Sequence, residues 1–254
     1  MNLRPLFAAA ALLAASGVSA DVTEELNFSY PINEGGRISV DNVNGDVTVI
    51  GGSGGMVEIT AIKRAGSQAY LDGLQITIRN TDDAIRIETD HPERSGMGKW
   101  FNWNEGSGSV SYTVRVPAHV NLDAIESVNG DLNISGVSGI VRASTVNGSI
   151  NAADLISDAG IDTVNGAVEV SFARFGGAQK ADCETVNGRL TINLPGDADA
   201  RVQAETINGG IDASDFGLAT NKGFVGRDLE GAIGAGSARL ELSTVNGAIK
   251  VRSH

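Results

Sequence analysis

The dipeptide Asn-Gly recurs along this sequence at nearly regular intervals, and this repeat limits the possible folds more than any other feature. From residue 129 onward, successive Asn residues are 18, 18, 22, 21 and 38 positions apart. A period near 20 residues is typical of solenoids, in which each repeat forms one coil. The last interval is about two repeats long, and residues 229–233 resemble a degenerate copy inside it. The repeated residues are Asn44, Asn129, Asn147, Asn165, Asn187, Asn208 and Asn246.

Alignment of the repeats on Asn produces columns of similar residues. The residue before Asn is always Val or Ile, and the residue two before it is Thr in five of the seven repeats. Apolar residues or Cys occupy the position four before Asn, and apolar residues occupy the third and fifth positions after it. The fourth position after Asn, which lies between these two apolar positions, is always polar or charged. This alternation predicts that each unit is a strand, a turn at Asn-Gly and a second strand.

Two architectures fit such units. In a meander, Asn-Gly forms a type I′ turn between antiparallel strands. In a β-solenoid, each unit is one coil, and like residues stack about 4.8 Å apart. The small core residues and the Thr and Asn columns favour the solenoid, with each amide or hydroxyl bonded to its neighbour in the next coil. We therefore predict an all-β, single-chain, right-handed parallel β-helix with coils of about 18–22 residues.

The first 20 residues have the pattern of a secretory signal peptide. Arg4 provides the positive charge, an apolar run covers residues 6–15, and Val18, Ser19 and Ala20 form a small-residue cleavage site. The apolar run is too short to span a bilayer, and no comparable run follows it. We expect an exported protein of the periplasm or cell surface, without an integral membrane segment in the mature chain.

The mature chain divides into two regions by pattern. Residues 21–120 contain longer alternating strands without Asn-Gly turns between residues 50 and 120, and we expect this N-terminal β region to cap the solenoid. Residues 121–254 form the predicted Asn-Gly repeat solenoid. Lys250 and Arg252 lie on the last strand, where charge discourages end-to-end stacking. This predicts a monomer.

The charge of the mature chain limits its partners. It has 18 basic and 31 acidic residues, so its net charge is −13, which disfavours nucleic acid. Cys183 is the single cysteine, so no intrachain disulfide forms. Because Cys183 lies in the apolar column, we expect it to be a buried core residue and not a nucleophile.

One pair of segments resembles a known family. Residues 110–117 read Val-Ser-Tyr-Thr-Val-Arg-Val-Pro, and residues 128–134 read Val-Asn-Gly-Asp-Leu-Asn-Ile. A strand of this type followed by serial Asn-Gly repeats resembles a bacterial family of adhesin-like β-strand-repeat proteins, also classed as a domain of unknown function. The resemblance covers roughly residues 35–252. It implies a single-chain β-helix on the cell envelope, and it brings no catalytic residues.

An acidic column precedes the repeated Asn by three positions. Stacked carboxylates repel one another, so a cation such as Ca²⁺ could bridge them, although calcium-loop patterns are absent. The three His residues show no metal-ligand spacing, and we predict no metal, cofactor or catalytic residue. Paired carboxylates also occur in polysaccharide-active β-helix enzymes, which is the alternative function. The column consists of Asp41, Glu126, Asp162, Glu184 and Glu205.

The segment 91–108 contains both Trp residues of the chain and several Gly residues. Trp100, Phe101 and Trp103 could stack against a sugar or a protein partner, or fold back onto the solenoid. We predict that these three residues form a binding surface for an envelope protein or a glycan. The sequence as a whole therefore predicts a non-enzymatic, adhesin-like binding or scaffolding protein.

Overall fold

The computed structural model describes residues 21–92, 108–222 and 226–254. The predicted signal peptide and the residues Trp100, Phe101 and Trp103 lie outside the described residues. The N-terminal region contains β1 (Val22–Pro31), β2 (Arg37–Asn44), β3 (Val47–Gly52), β4 (Met56–Ala65), α1 (Gln68–Gly73), β5 (Gln75–Asn80), β6 (Ala84–Asp90) and β7 (Gly108–Pro117).

The remaining strands follow the Asn-Gly repeat, and most units contribute one strand on each side of the Asn-Gly. A short 3₁₀ helix, Ser214–Phe216, follows β17. The strands are β8 (Asn121–Asn129), β9 (Leu132–Ser135), β10 (Val141–Asn147), β11 (Ile150–Leu155), β12 (Ala159–Asn165), β13 (Val168–Phe172), β14 (Lys180–Asn187), β15 (Leu190–Leu194), β16 (Ala200–Asn208), β17 (Ile211–Asp212), β18 (Asn221–Lys222), β19 (Arg227–Ile233), β20 (Ala238–Asn246) and β21 (Ile249–Ser253).

The strands form two large sheets. Sheet A has the order β1-β4-β7-β3-β9-β11-β13-β15-β21-β17, and sheet B has the order β18-β19-β16-β20-β14-β12-β10-β8-β2-β6-β5. In each repeat the strand before Asn-Gly lies in sheet B and the strand after it lies in sheet A. The meander is therefore wrong, and the chain has a β-solenoid-like arrangement.

Successive repeats pair in parallel and in register. In sheet B, Asn147 lies opposite Asn165, and Asn165 lies opposite Asn187. In sheet A, Ile150 lies opposite Val168, which lies opposite Leu190. Each level of this stack, formed by one Asn-Gly unit, is called a rung below.

One continuous hydrophobic core lies along the stack. Inward residues from the two sheets alternate with outward residues along each strand, as in the buried-exposed pattern of β16. Ile161, Cys183 and Leu242 occupy the same core column on neighbouring rungs, and each is buried. This confirms that Cys183 is a buried core residue. Burial raises the pKa of its thiol, which disfavours the reactive thiolate.

The pairing is not parallel throughout, contrary to a purely parallel β-helix. At the N-terminal end, β1 pairs antiparallel with β4, and β4 pairs antiparallel with β7. In sheet B, β5 pairs antiparallel with β6. Helix α1 begins where Ser67 Oγ accepts a hydrogen bond from the Tyr70 N–H at 3.3 Å. It has six residues, and no helix among the described residues is long and apolar enough to cross a membrane.

The C-terminal repeat lies between two repeats that precede it in sequence. Strand β20 pairs with both β14 and β16, and β21 pairs with both β15 and β17. Lys250 and Arg252 therefore do not lie on a terminal rung, and the expectation that they block end-to-end stacking is wrong. Arg252 instead forms an ion pair with Asp212 at 2.7 Å.

The interval of 38 residues between the last two Asn residues does not hold a degenerate coil. Residues 229–233 belong to β19, which pairs antiparallel with β16. Strand β18 pairs antiparallel with β19 and forms the last strand of sheet B. Leu229 and Ile233 resemble core residues of a repeat strand in sequence, but β19 runs in the opposite direction and ends the parallel pairing of sheet B.

Candidate functional site

The corner of each rung carries a row of Asn amides. Asn165 Nδ2 donates to Asn147 Oδ1 at 2.9 Å, and Asn187 Nδ2 donates to Asn165 Oδ1 at the same distance. The row continues through Asn246 to Asn208, with Nδ2–Oδ1 distances of 2.8 Å. All these amides donate in one direction along the stack, so the side chains hold neighbouring corners in register.

The Thr of each repeat bonds to the glycine of the preceding rung and not to another Thr. Thr163 Oγ1 donates to the Gly148 carbonyl oxygen at 3.0 Å, and Thr185 Oγ1 donates to that of Gly166 at 3.1 Å. Thr163 is only 5% exposed. Since a buried carbonyl without a donor is costly, this hydroxyl satisfies a group that the corner would leave unpaired.

Glycine is required because the corners stack backbone against backbone. A Cβ built on Gly166 would lie 1.9 Å from the Gly148 carbonyl oxygen, and one on Gly247 would lie 1.6 Å from that of Gly188. Apart from Gly45, the Asn-Gly glycines do not adopt the positive φ of a type I′ turn. Close approach, and not turn geometry, therefore explains the Gly of the repeat.

The Val or Ile directly before each Asn points outward, and the Asn, Thr and Gly contacts at the corner do not explain why it is conserved among the repeats. Six such side chains stand on consecutive rungs, and their exposed fractions range from 36% to 52%. Exposed large apolar residues in one continuous row are unusual on a protein surface and mark candidate interaction sites. We call this row the valine ridge; it consists of Val128, Val146, Val164, Val186, Val245 and Ile207.

The acidic column runs beside the valine ridge on the same outer face of sheet B. Its five carboxylates are exposed, while Ser144 and Ser243 occupy the same column on two other rungs and are half-buried. The ridge and the column line a shallow groove of about 560 Å³. One wall of this groove is apolar and the other is anionic.

Basic side chains near the groove form their ion pairs with carboxylates outside the acidic column. In the described part of the chain, no carboxylate of the acidic column forms an ion pair. Arg142 and Arg201, which lie farther from the corner, instead pair with Asp123 at 3.3 Å and Glu230 at 3.4 Å. Arg86, which pairs with Glu88, also attracts Asp41 and Glu126 from a longer distance, so the uncompensated negative charge of the groove is concentrated around Asp162 and Glu184.

Asp162 is the most perturbed carboxyl of the column. Partial burial, followed by repulsion from Glu184 and Asp182, raises its pKa from 3.8 to about 6. The pKa of Asp182 is also raised, by burial and by Glu241. A cation placed in the groove near Asp162 would reverse this repulsion.

A resident metal was not expected from the sequence. Among residues 21–92, 108–222 and 226–254, no group of three or more His, Cys, Asp or Glu side chains is arranged to hold a metal ion. The carboxylates of the column are distributed along the stack, with Ser144 and Ser243 between them, and do not converge on one point. Trp100, Phe101 and Trp103 lie outside the described residues, so their binding role stays a prediction.

The valine ridge was missed by the sequence analysis, although a signal for it was present. Thr163 and Ile161 point inward, and strand alternation then places Asp162 and Val164 on the outer face together. The sequence pattern showed that this position is always Val or Ile, but no outward row was predicted from it. Counting alternation from the core column identifies the ridge without a structure.

The stacked parallel rungs define a β-solenoid-like repeat protein with an apolar and acidic outer face. A family model described as Toastrack DUF4097 matches residues 36–252. The chain therefore belongs to this family, which agrees with the resemblance to adhesin-like proteins classed as a domain of unknown function. No curated protein matches the chain in sequence.

Solved structures provide further comparisons. The crystal structure of a candidate cell adhesion protein from Clostridium sporogenes is 13% identical with a TM-score of 0.51, covering 90% of this chain and 99% of that one. A candidate adhesin from Bacteroides fragilis is 12% identical with a TM-score of 0.32, covering 89% and 96% of the two chains. At these identities, the Clostridium sporogenes protein shows a shared fold only.

Proposed function

We propose that this protein is a non-enzymatic binding protein of the cell envelope with an adhesin-like or scaffolding role. In this proposal the chain is exported to the periplasm or the cell surface, acts as a monomer and coils in the right-handed sense that parallel crossovers almost always take. The name of the Clostridium sporogenes neighbour agrees with such a role. Function must still be argued from the surface, because a fold alone does not determine it.

The valine ridge is the observation that carries the proposal. Ridge residues stand on strands that are hydrogen-bonded on both sides and locked at the corner by the Asn and Thr contacts. The apolar row is therefore held rigidly before any partner arrives, which lowers the entropic cost of binding. A rigid, exposed, apolar row on a long face suits binding or scaffolding.

The predicted aromatic surface is a second part of the proposal. Trp100, Phe101 and Trp103 lie between β6 and β7 in the sequence. Flat aromatic rings bind sugar rings and protein side chains well. This surface would give the protein a contact separate from the valine ridge.

Site-specific photocrosslinking in living cells tests the proposal. A photoreactive amino acid replaces Val164 on the ridge, and the matched control replaces Thr191 on the outer face of sheet A. We expect a defined crosslinked partner from position 164 and none from position 191, with the protein in the envelope fraction. Cytoplasmic residence, or equal crosslinking from both positions, would contradict the proposal.

A polysaccharide-active enzyme is the second candidate, and one observation favours it. Partial burial raises the pKa of Asp162 to about 6, Asp162 stands one rung from Glu184, and glycosidases use a pair of carboxyl groups in which the general acid has a raised pKa. Incubation with a panel of acidic and neutral glycans tests this function. Release of reducing ends or unsaturated products that Asp162→Asn abolishes would replace the non-enzymatic proposal.

A further inference from the structure

The outer columns of sheet B differ in how much they vary. Three positions before Asn the residue is Asp, Glu or Ser, and five before Asn it ranges from Gly160 to Arg142 and Glu241. One position before Asn it is always Val or Ile, although this side chain is as outward-facing as the others. Strand propensity alone would accept Thr or Tyr equally well. An apolar partner that lies on the ridge explains the restriction.

The face beneath the ridge limits what form the partner takes. Every strand from β8 to β16 in the order of sheet B is hydrogen-bonded to a neighbour on each side. An extended peptide therefore finds no free backbone edge on this face, and its own N–H and C=O groups would stay unpaired. A partner that lies flat on the ridge must satisfy its backbone internally, as an α-helix does.

The dimensions of the ridge suit one such helix. Six rungs spaced about 4.8 Å apart give a row about 24 Å long. A helix of about 16 residues has this length, and its turns repeat every 5.4 Å or so. One apolar stripe on the helix would therefore meet the ridge over most of its length.

The negative charge of the groove determines which side chains the helix must present beside its apolar stripe. Glu126, Asp162 and Glu184 run beside the ridge without ion-pair partners in the described part of the chain. A second copy of this acidic chain, or an anionic membrane, would be repelled there. Lys or Arg side chains on the partner would meet the acidic column instead and relieve its internal repulsion.

We propose that the groove binds a basic amphipathic helix of a partner protein, with its apolar stripe on the valine ridge and its Lys or Arg stripe on the acidic column. This inference rests on the proposed binding function and names the chemistry of the partner. It differs from that function in requiring both the apolar row and the negative charge at the same place.

Titration with a labelled peptide tests the inference on the full mature chain. The probe is an 18-residue amphipathic helical peptide of leucine and lysine, and its leucine–glutamate counterpart is the charge control. We expect saturable binding of the lysine peptide, weakened by added salt, and at least about tenfold weaker binding of the glutamate peptide. Equal binding of the two peptides would overturn the inference.

Two sets of variants locate the binding on the groove. Replacing Glu126, Asp162 and Glu184 by their amides should weaken the lysine peptide about tenfold, while Glu34→Gln, Glu58→Gln and Glu169→Gln together should change it less than about twofold. Val164→Thr keeps the branched shape and should weaken binding about threefold or more, unlike Met56→Gln at another exposed apolar residue. Thermal melts and circular dichroism confirm that each variant is folded.

The outcomes separate this inference from the proposed function. Suppose that the ridge forms a crosslink in cells but that neither set of variants changes the affinity for the lysine peptide. The proposed binding function would then stand, and the inference that the partner is a basic helix would be overturned. Absence of any ridge crosslink contradicts the proposed function itself. Vesicles of phosphatidylcholine with phosphatidylglycerol serve as the membrane control, and binding to them in place of the peptide would also overturn the inference.

Discussion

The Asn-Gly corner and the N-terminal antiparallel strands both hold stacked strands together, but they use different contacts. At the corner, Asn and Gly repeat on every rung, and backbone carbonyls approach so closely that a Cβ does not fit. In β1, β4 and β7, long antiparallel ladders carry the pairing, and larger side chains such as Tyr112 and Ile59 fill the core. The corner therefore tolerates little change, whereas the N-terminal strands spread their stability over many varied contacts.

Adding one methyl group to a corner glycine should produce the largest difference between the two regions. Gly166→Ala places a Cβ against the Gly148 carbonyl oxygen, and the neighbouring rungs must separate. We expect a loss of about 3 kcal/mol or more in the free energy of unfolding. Gly52→Ala at the end of β3 meets no atom within 4 Å and should change it by less than about 0.5 kcal/mol in the same urea titration.

Removing one corner hydroxyl should have the next largest effect. Thr163→Val keeps the shape of the side chain but leaves the Gly148 carbonyl oxygen without its donor, which should cost about 1–3 kcal/mol. Thr60→Val in β4 removes an exposed hydrogen bond to Asn27 and should cost well under about 1 kcal/mol. If chemical denaturation gave equal losses in the free energy of unfolding for the two variants, the corner hydroxyl would contribute no more than an exposed hydroxyl in β4.

The amide row should contribute less per residue, because its members remain exposed. Asn165→Ala removes one bond to Asn147 and one from Asn187, and we expect a loss of about 1 kcal/mol. Asn27→Ala in β1 is the matched control and should cost a few tenths of a kcal/mol or so. A double-mutant cycle with Asn187→Ala should give a clear coupling energy, and additivity there would contradict a cooperative row.

The smallest effect should be a gain in stability that depends on pH. The folded chain holds the proton of Asp162 more tightly than the unfolded chain, so its ionisation destabilises the fold as pH rises from about 4 to about 6. Asp162→Asn should therefore increase the free energy of unfolding by less than about 1 kcal/mol at pH 7, after allowance for solvent screening, and should leave it unchanged below pH 4 or so.

Glu88 in the N-terminal region should respond in the opposite direction. The Arg86 guanidinium donates a hydrogen bond to Glu88 and lowers the pKa of its carboxyl. Its stabilising contribution is present above the unfolded pKa and is lost as pH falls through the lower folded pKa. In thermal melts from pH 3 to pH 7, Glu88→Gln should lower the melting temperature at neutral pH, where Asp162→Asn raises it.

The sequence predicted the rungs well because each is a local pattern. Ile161, Thr163 and Val168 share the alternation of their columns in every unit, so strands, register and inward faces follow from one alignment. The position of the last rung did not follow, because the rungs of Asn187, Asn208 and Asn246 all offer the same Asn, Thr and Gly contacts to their neighbours. The aligned repeat residues of β14 and β20 are alike, so the sequence does not show which of the two strands pairs with β16. Helix α1 was missed because six residues give too short a periodic signal.

The inserted C-terminal repeat has a consequence for how the chain reaches its final structure. Synthesis delivers β16 and β17 before β20 and β21, yet the later pair lies between the earlier pair and the rest of the stack. Until β20 has left the ribosome, Asn187 and Asn208 can offer each other the contacts that Asn246 later makes with both. Repeat proteins commonly fold by adding neighbours in order. Here that order fails, because β20 and β21 must enter a space that the neighbouring strands, made earlier, are able to close.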